Sequence, residues 1–411
     1  MRIARTALSV VMVLLVASHA QVNNHKPAAS SKTTKTAPAA NAHYYGAVDL
    51  GSKGTKASLY SFVVDEDGRS PVAVFGKTIN TKLVSSMQNG EFTKEGIADA
   101  ADAVKQVIDA MKAEATAKGY DVDVYYVVGS SGVAHGKNRD DLAAAVKQAT
   151  GIDMDFVDAA HEGYYGLLSS VPLSRRSTSM YVDIGSGNTK LGCLVGDTDF
   201  HNFKSAEIPF GSVSGRNEGA KRDPKDINAG IASVMTDVTA EYDKQSRDIP
   251  CLRNRQRIYW SGGAAWATAT YMHPEKELNG WVVITRHDLD VFQQRLKDGT
   301  WNQKPLAFHF PENMTEQQKN AIRAKANKEH DDVQNVFVRE DLLSGVSIMQ
   351  AILAASNPSA VIRFVRNGNF IYGYALEKFK ADNARGTALS TPVMNRTACC
   401  MVAGNVPQAH R

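Results

Sequence analysis

Two short glycine-rich segments, 49–56 and 183–190, repeat one pattern roughly 130 residues apart. Each follows an apolar segment and precedes a second β-rich segment, so each is predicted to form a hairpin tip that carries an aspartate, small residues, hydroxyls and a lysine. Glycine permits positive φ and lets backbone N–H groups approach a bound anion. The two copies therefore predict a duplicated domain with two phosphate-binding loops that face each other across a cleft.

Composition and the N-terminal segment narrow the class of protein. The chain has 411 residues, of which 43% are hydrophobic and 22% charged, as expected for a globular protein of two domains. Residues 1–20 combine a basic start, an apolar run and the cleavage sequence Ser18-His19-Ala20. This pattern predicts a secretory signal peptide and an exported protein, periplasmic or secreted, with an uncleaved anchor as the alternative. The formal net charge of +4 falls toward zero without that segment, so we expect no nucleic-acid partner. We also expect no membrane span once the signal peptide is cleaved.

The order of predicted elements sets the domain organisation. We expect a disordered linker at 21–43, a first domain at 44–171, a second domain at 172–380 and a loose C-terminal tail at 381–411. The order strand-strand-strand-helix-strand-helix occurs once in each domain, which predicts an α/β (α+β) fold with mixed sheets covered by helices. Segments 361–365 and 369–376 are predicted to close the second domain as a hairpin.

The four cysteines give little guidance. They are Cys193, Cys251, Cys399 and Cys400, and no pair has a diagnostic spacing. Export would permit disulfides. We expect Cys193, in a predicted core strand, to be a small buried cysteine, and the pairing stays open.

Several segments resemble those of known nucleotide- and phosphate-binding proteins. Segments 49–60, 183–189 and 261–264 resemble the loops of the actin/sugar-kinase/heat-shock ATPase superfamily. Within it, the order of motifs from Tyr44 to Lys380 is most similar to the exopolyphosphatase and guanosine-pentaphosphate phosphatase (Ppx/GppA) family. The motifs include 157–163, 208–211 and 339–345. The apyrases, which are secreted nucleoside di- and triphosphate hydrolases, share the first loop and a motif similar to 162–165. The resemblance implies two duplicated ribonuclease-H-like domains of the actin-like ATPase type, with a cleft between them.

The same resemblance implies an activity and a set of site residues. Water would attack a terminal phosphoryl group of polyphosphate or a nucleotide, assisted by Mg²⁺ or another divalent ion. Glu162 would be the catalytic base, and Asp49 and Asp183 would hold the metal through waters. The alternative for Glu162 is an ordinary first-turn helix glutamate. Gly262 and Gly263 either border a nucleotide base or pack a helix on a strand.

Phosphate binding is implied for the small, hydroxyl-bearing and basic residues of the two loops, and for a serine after the fourth strand. These residues are Gly51, Ser52, Lys53, Gly54, Thr55, Lys56, Ser131, Gly185, Ser186, Gly187, Asn188 and Thr189.

Two positions depart from the family pattern. Ala134 stands where relatives usually carry a phosphate-binding arginine, and Lys190 stands where they carry Glu or Gln. Either the lysines bind a highly anionic chain such as polyphosphate, or the hydrolytic site has decayed and the protein only binds phosphate compounds. The first hypothesis is an exported phosphoanhydride hydrolase, and the alternative is a catalytically weak binding protein of the same fold. The choice of substrate and the presence of a homodimer stay open.

Overall fold

The computed structural model describes residues 42–51, 54–63, 72–81, 83–84, 87–276, 281–303, 306–365 and 368–390. The predicted signal peptide and all but the last two residues of the predicted linker lie outside these residues, as do Ser52, Lys53, Cys399 and Cys400.

The first sheet has five strands in the order β3-β2-β1-β4-β5. The strands are β1 (Ala42–Leu50), β2 (Gly54–Val63), β3 (Val72–Asn80), β4 (Val122–Gly129) and β5 (Met154–Phe156). The first three are antiparallel neighbours, whereas β4 is parallel to β1 and β5 is parallel to β4. The helices of this half are α1 (Lys94–Lys118), α2 (Ser131–Ala134), α3 (Arg139–Thr150) and α4 (Ala159–Ser170). Helix α1 begins where the Thr93 hydroxyl accepts a hydrogen bond from the Gly96 N–H and ends at Gly119, which has φ 70°.

The second sheet repeats this order and adds one strand. Its strands are β6 (Ser179–Ile184), β7 (Thr189–Leu194), β8 (Phe203–Ile208), β9 (Arg257–Gly262), β10 (Trp281–Ile284) and β11 (Val361–Val365). The order β8-β7-β6-β9-β11 has the same directions as β3-β2-β1-β4-β5, and β10 extends it as an antiparallel edge. The predicted fold class, two mixed sheets with helices and a duplicated order of elements, is therefore confirmed.

The second half carries most of the helices. They are α5 (Ser212–Arg222), α6 (Ile227–Asp248), α7 (Cys251–Asn254), α8 (Gly263–Met272), α9 (Arg286–Lys297), α10 (Glu316–Val336), α11 (Arg339–Ala355) and α12 (Phe370–Ser390). None of the helices among the described residues is long and apolar enough to cross a membrane.

Helix α12 replaces the predicted closing hairpin, so that prediction is wrong. The apolar residues of this segment recur at helical spacing: Phe370, Ile371, Tyr374, Ala375 and Phe379. They pack against Tyr45, Tyr60 and Phe62, which point to the face of the first sheet opposite α1. The C-terminal helix therefore leaves the second sheet and covers the first.

Cys193 in β7 forms a disulfide with Cys251 in α7, across 58 residues of sequence and with 6.3 Å between the Cα atoms. Cys193 is buried, as expected, and the pairing that the sequence left open is with Cys251. The sequence could not give this pairing because β7 and the short α7 become neighbours only through the packing of the second half.

Candidate functional site

The two glycine-rich loops are closed by the same backbone hydrogen bond. In the first loop the Gly51 N–H donates to the Gly54 carbonyl at 2.9 Å, and in the second the Gly185 N–H donates to the Asn188 carbonyl at 3.0 Å. In each hairpin the aspartate lies opposite the loop lysine in the strand register, Asp49 with Lys56 and Asp183 with Lys190. The sequence repeat is therefore also a structural repeat.

Each loop lies beside the end of a parallel strand. Leu50 is in register with Gly129 of β4, and Ile184 is in register with Gly262 of β9. Crevices at the carboxyl ends of parallel strands are the usual ligand sites of α/β sheets. This arrangement places both loops at the edges of the sheets where a ligand site is expected.

Lys190 is the centre of a buried ionic network. Its Nζ atom lies 2.8 Å from Oε1 of Glu162 and 3.0 Å from Oδ2 of Asp183. Only 5% of the Lys190 side chain and 8% of the Glu162 side chain are exposed.

The remaining oxygens of the two carboxylates also accept hydrogen bonds. Oε2 of Glu162 accepts from the Ser131 N–H at 2.8 Å, and Oδ1 of Asp183 accepts from the Ser261 hydroxyl at 3.0 Å. All four carboxylate oxygens therefore have a donor within the protein.

The ionic network keeps Lys190 and Asp183 charged. Burial alone would lower the pKa of Lys190, but the carboxylates of Asp183 and Glu162 raise that pKa above its usual value. Burial alone would raise the pKa of Asp183, but the Lys190 ammonium and the Ser261 hydroxyl hold it below its usual value. Lys190 and Asp183 therefore form an ion pair at neutral pH.

Asp49 is the third carboxylate of the cluster and has a different environment. Its side chain is buried, and its Oδ1 atom accepts no hydrogen bond from any residue that the structure describes. The pKa of Asp49 is raised to about 6, chiefly by burial and also by the nearby carboxylates of Glu162 and Asp183, whereas Lys56 and Lys190 oppose the shift. Asp49 thus keeps an unsatisfied oxygen at the end of β1.

The residues present fit the implied Mg²⁺ poorly. Mg²⁺ requires near-octahedral oxygen ligands, whereas both oxygens of Asp183 already accept from Lys190 and Ser261. Two unit charges 4 Å apart interact by about 4 kcal/mol at an effective dielectric constant of 20, and a divalent ion beside the ammonium would be repelled about twice as strongly. Within the described ranges, no group of three or more His, Cys, Asp or Glu is arranged to hold a metal ion. Only the free oxygen of Asp49 fits such an ion.

Helix α5, which the sequence interpretation missed, fixes the second loop. The N–H groups of Ser212 and Val213 donate to the carbonyls of Gly185 and Ser186, both at 2.9 Å. A Cβ at Gly211 would lie 2.5 Å from the Gly185 carbonyl oxygen, so only glycine fits there. In the sequence, the motif 208–211 could have indicated this contact, because its glycine, Gly211, directly precedes a polar helix.

Asn188 connects the second loop to the first half of the chain. Its Nδ2 atom donates to Oε1 of Glu207 at 2.7 Å and to the Ser131 hydroxyl at 3.5 Å. Ser131 also donates its N–H to Glu162. Three residues predicted for the site, Ser131, Asn188 and Glu162, are therefore brought together.

The other predicted phosphate-binding residues that the structure describes differ in their exposure to solvent. Thr55 and Thr189 are fully buried, and the Thr189 hydroxyl donates to the Phe210 carbonyl at 2.8 Å. Lys56 and Gly187 are exposed. Gly51, Gly185 and Ser186 are half-buried, and Gly54 is buried in the first hairpin.

Gly262 and Gly263 have close contacts within the protein. Gly262 has φ 94°, and a Cβ there would overlap the Ile184 carbonyl. A Cβ at Gly263 would overlap the Phe337 ring. These contacts are those expected from the packing interpretation of the two glycines.

Arg139 contacts Ala134, the position at which the resemblance implies an arginine. Its Nη1 atom donates to the Ala134 carbonyl at 3.1 Å, and its guanidinium lies 5.4 Å from the centre of the Phe156 ring. Both contacts hold Arg139 against its own half of the chain.

The chain therefore has an α/β fold with two sheets of repeated strand order, two glycine-rich loops and a buried cluster of carboxylates. The sequence matches no established family profile and no curated protein. Solved structures of similar fold include an exopolyphosphatase from Cytophaga hutchinsonii, 16% identical, which covers 82% of this chain and 98% of its own, with a TM-score of 0.58. A Ppx/GppA family member from Aquifex aeolicus is 16% identical over 83% of this chain and 99% of its own, with a TM-score of 0.57. An exopolyphosphatase-like protein is 16% identical over 82% and 98%, with a TM-score of 0.60. This chain has the fold of the Ppx/GppA proteins.

Proposed function

We propose that this chain is a phosphoanhydride hydrolase that removes terminal phosphate from polyphosphate or nucleotide polyphosphates. The observation that carries the proposal is the position of Glu162. Its carboxylate is held by the Ser131 N–H from the first half of the chain and by Lys190 from the second. The likeness of fold to exopolyphosphatase structures adds support.

In this proposal a terminal phosphoryl group lies against the two loops, and water attacks its phosphorus atom. Glu162 accepts a proton from the water, while the bond from phosphorus to the bridging oxygen breaks and the leaving phosphate keeps the electron pair. Lys190 and Ser131 fix the position of the Glu162 carboxylate. The exposed ammonium of Lys56 adds positive charge at the first loop.

Mg²⁺ held by Asp49 and Asp183 is left out of this mechanism and stays a prediction of the family resemblance, because of the two residues only Asp49 keeps an unsatisfied oxygen. Export also stays a prediction, and the disulfide between Cys193 and Cys251 supports it because such bonds persist in oxidising compartments. Nucleoside di- and triphosphates, the substrates of apyrases, are the alternative substrate class.

A second function, a binding protein for phosphate compounds, is favoured by one specific observation. Both oxygens of Glu162 accept hydrogen bonds from the protein, and the side chain is buried, which restricts the access of water to the proposed base. In this alternative the protein binds polyphosphate or a nucleotide but cleaves it slowly or not at all.

Phosphate release by the purified chain from Gln21 onward separates the two functions. The substrates are polyphosphate, ATP, ADP and guanosine pentaphosphate. We expect Glu162→Gln to lower the rate by about 10²-fold or more, as for loss of a general base. Glu95, a glutamate in the first turn of α1, provides the matched control, and Glu95→Gln should retain the rate. Tight binding of these compounds without release would instead support the binding protein.

A further inference from the structure

The ammonium of Lys190 lies where a cation between two carboxylates would lie. Nζ is 2.8 Å from Oε1 of Glu162 and 3.0 Å from Oδ2 of Asp183, two residues that come from α4 and from the end of β6. A Cβ at Gly185 would be 3.3 Å from the same Nζ atom, so the ammonium also lies directly beside the second loop. The side chain thus reaches the place where the loop, the strand end and the predicted base meet.

The hydrogen bonds accepted by the carboxylate oxygens also favour an ammonium over a divalent ion at this place. Glu162 and Asp183 have no oxygen without a donor, because Ser131 and Ser261 provide the remaining hydrogen bonds. A divalent ion bound by Asp183 would have to displace either Lys190 or Ser261. The Ser261 hydroxyl also lies 2.6 Å from the Tyr181 hydroxyl, so its position is fixed from two sides. With the Lys190 ammonium as the cation, every carboxylate oxygen of Glu162 and Asp183 has a hydrogen-bond donor.

The position of the positive charge within the cluster supports the same conclusion. Asp49, Asp183 and Glu162 carry three negative charges when ionised, and the buried cation among them is Lys190. The fixed ammonium neutralises one of these charges between Asp183 and Glu162, and it would repel a divalent ion placed directly beside it.

We propose that the ammonium of Lys190 takes the place of a resident divalent cation between Asp183 and Glu162, so that this protein handles its phosphoanhydride ligand without a metal ion bound to Asp183. The statement about the ligand rests on the proposed function. The statement about the metal ion does not, and it can be tested without any substrate.

The test is a titration of the substrate-free protein with Mn²⁺, in which electron paramagnetic resonance measures the free ion. The wild type should bind Mn²⁺ weakly, and Lys190→Gln should bind it roughly tenfold more tightly or better, because one unit of positive charge beside the carboxylates is removed. Lys56 provides the matched control, since its charge also acts on Asp49 and Asp183 but from an exposed position. Lys56→Gln should raise the affinity for Mn²⁺ less than Lys190→Gln does, because Lys190 acts more strongly than Lys56 on Asp183.

Two results would overturn the proposal. One is wild-type protein that binds a single Mn²⁺ as tightly as Lys190→Gln, and the other is an equal gain in Lys190→Gln and Lys56→Gln. If Lys190→Gln fails to fold, as judged by circular dichroism, Asp183→Asn decides. Mn²⁺ binding by the wild type that is lost in Asp183→Asn contradicts the proposal, and weak binding by both proteins supports it. Phosphate release is not measured here, so a failure of the proposed hydrolase would leave this result intact.

Discussion

Lys190 on β7 and Glu162 on α4 form a buried ion pair, with 2.8 Å between Nζ and Oε1. Asp183 completes the pair as a triad, at 3.0 Å from the same ammonium. Buried charges are stable only where partners and hydrogen bonds replace the lost water, and here Ser131 and Ser261 provide them. The triad therefore fixes the position of the proposed base relative to the second loop.

Loss of Lys190 should destabilise the protein. Lys190→Met leaves two buried carboxylates without their cation, and breaking a buried ion pair in this way costs about 3–5 kcal/mol in the free energy of unfolding. Urea denaturation measures the change. The control is Lys105→Met, which removes an exposed i,i+4 pair with Asp109 and should change stability little. Equal small effects of both substitutions would show that the triad does not contribute to stability.

Asp49 should make stability depend on pH. Its pKa is raised to about 6 in the folded protein from an ordinary value of 3.8, so folding favours the protonated form. Stability is therefore lost as pH rises from about 4 to about 6, and the loss levels off above that range at about 3 kcal/mol. Asp49→Asn cannot ionise, so we expect it to be more stable than the wild type at pH 8 and similar to it at pH 4.

Asp183→Asn is the control of opposite sign. The pKa of Asp183 is lowered in the folded protein, so its carboxylate contributes stability above the ordinary pKa that is lost as pH falls. Asp183→Asn should therefore be less stable than the wild type at pH 8. Urea denaturation at pH 4 and pH 8 measures both variants. A stability difference between Asp49→Asn and the wild type that does not change with pH would contradict the assignment for Asp49.

Gly211 should be essential for the shape of the second loop. Gly211→Ala would place a Cβ 2.5 Å from the Gly185 carbonyl oxygen and 2.8 Å from the Asn188 nitrogen, so the loop backbone must move. Gly187→Ala is the matched control, because a Cβ there meets nothing within 4 Å among the described residues. We expect Gly211→Ala to lower both the melting temperature and phosphate-ligand binding, and Gly187→Ala to retain the melting temperature. Equal melting temperatures for the two variants would contradict the packing of α5 on the loop.

The disulfide should stabilise the second half of the chain. Closing a loop of 58 residues is expected to contribute about 4 kcal/mol through the entropy of the unfolded chain. Unfolding in urea with and without dithiothreitol measures the contribution. The double variant Cys193→Ala with Cys251→Ala should be insensitive to the reductant. Free thiols at both positions in the protein purified under oxidising conditions would contradict the assignment.

The repeated strand order could be predicted from the sequence because it depends on local patterns. The loops 49–56 and 183–190 follow apolar strands, and the helix over Lys94–Lys118 has buried residues at helical spacing. Each of these patterns lies within a short segment of the chain. Strands and helices of this kind can therefore be predicted without knowledge of tertiary contacts.

The elements that were missed depend on distant contacts. Helix α5 is polar and rich in glycine, so its signal is weak, and it is held by the second loop. Helix α12 has apolar and aromatic residues that suit a strand as well as a helix, and its packing on the first sheet decides between them.

Lys190 shows how far the candidate site could be predicted. The family resemblance implies an acidic or amide side chain where this chain has Lys190, and one hypothesis from the sequence is that this lysine binds an anionic substrate. The structure instead pairs it with Glu162 and Asp183, which belong to different elements. Only the packing of α4 against the second sheet brings these three residues together.

The central claim is that Glu162, held by Lys190 and without a metal ion on Asp183, acts as the base of a phosphoanhydride hydrolase. The most direct measurement is phosphate release from polyphosphate by the wild type and Glu162→Gln in the presence of excess EDTA. We expect release by the wild type to persist in the chelator and to be lost in Glu162→Gln. Release that depends on added Mg²⁺, or no release by the wild type under any condition, would contradict the claim.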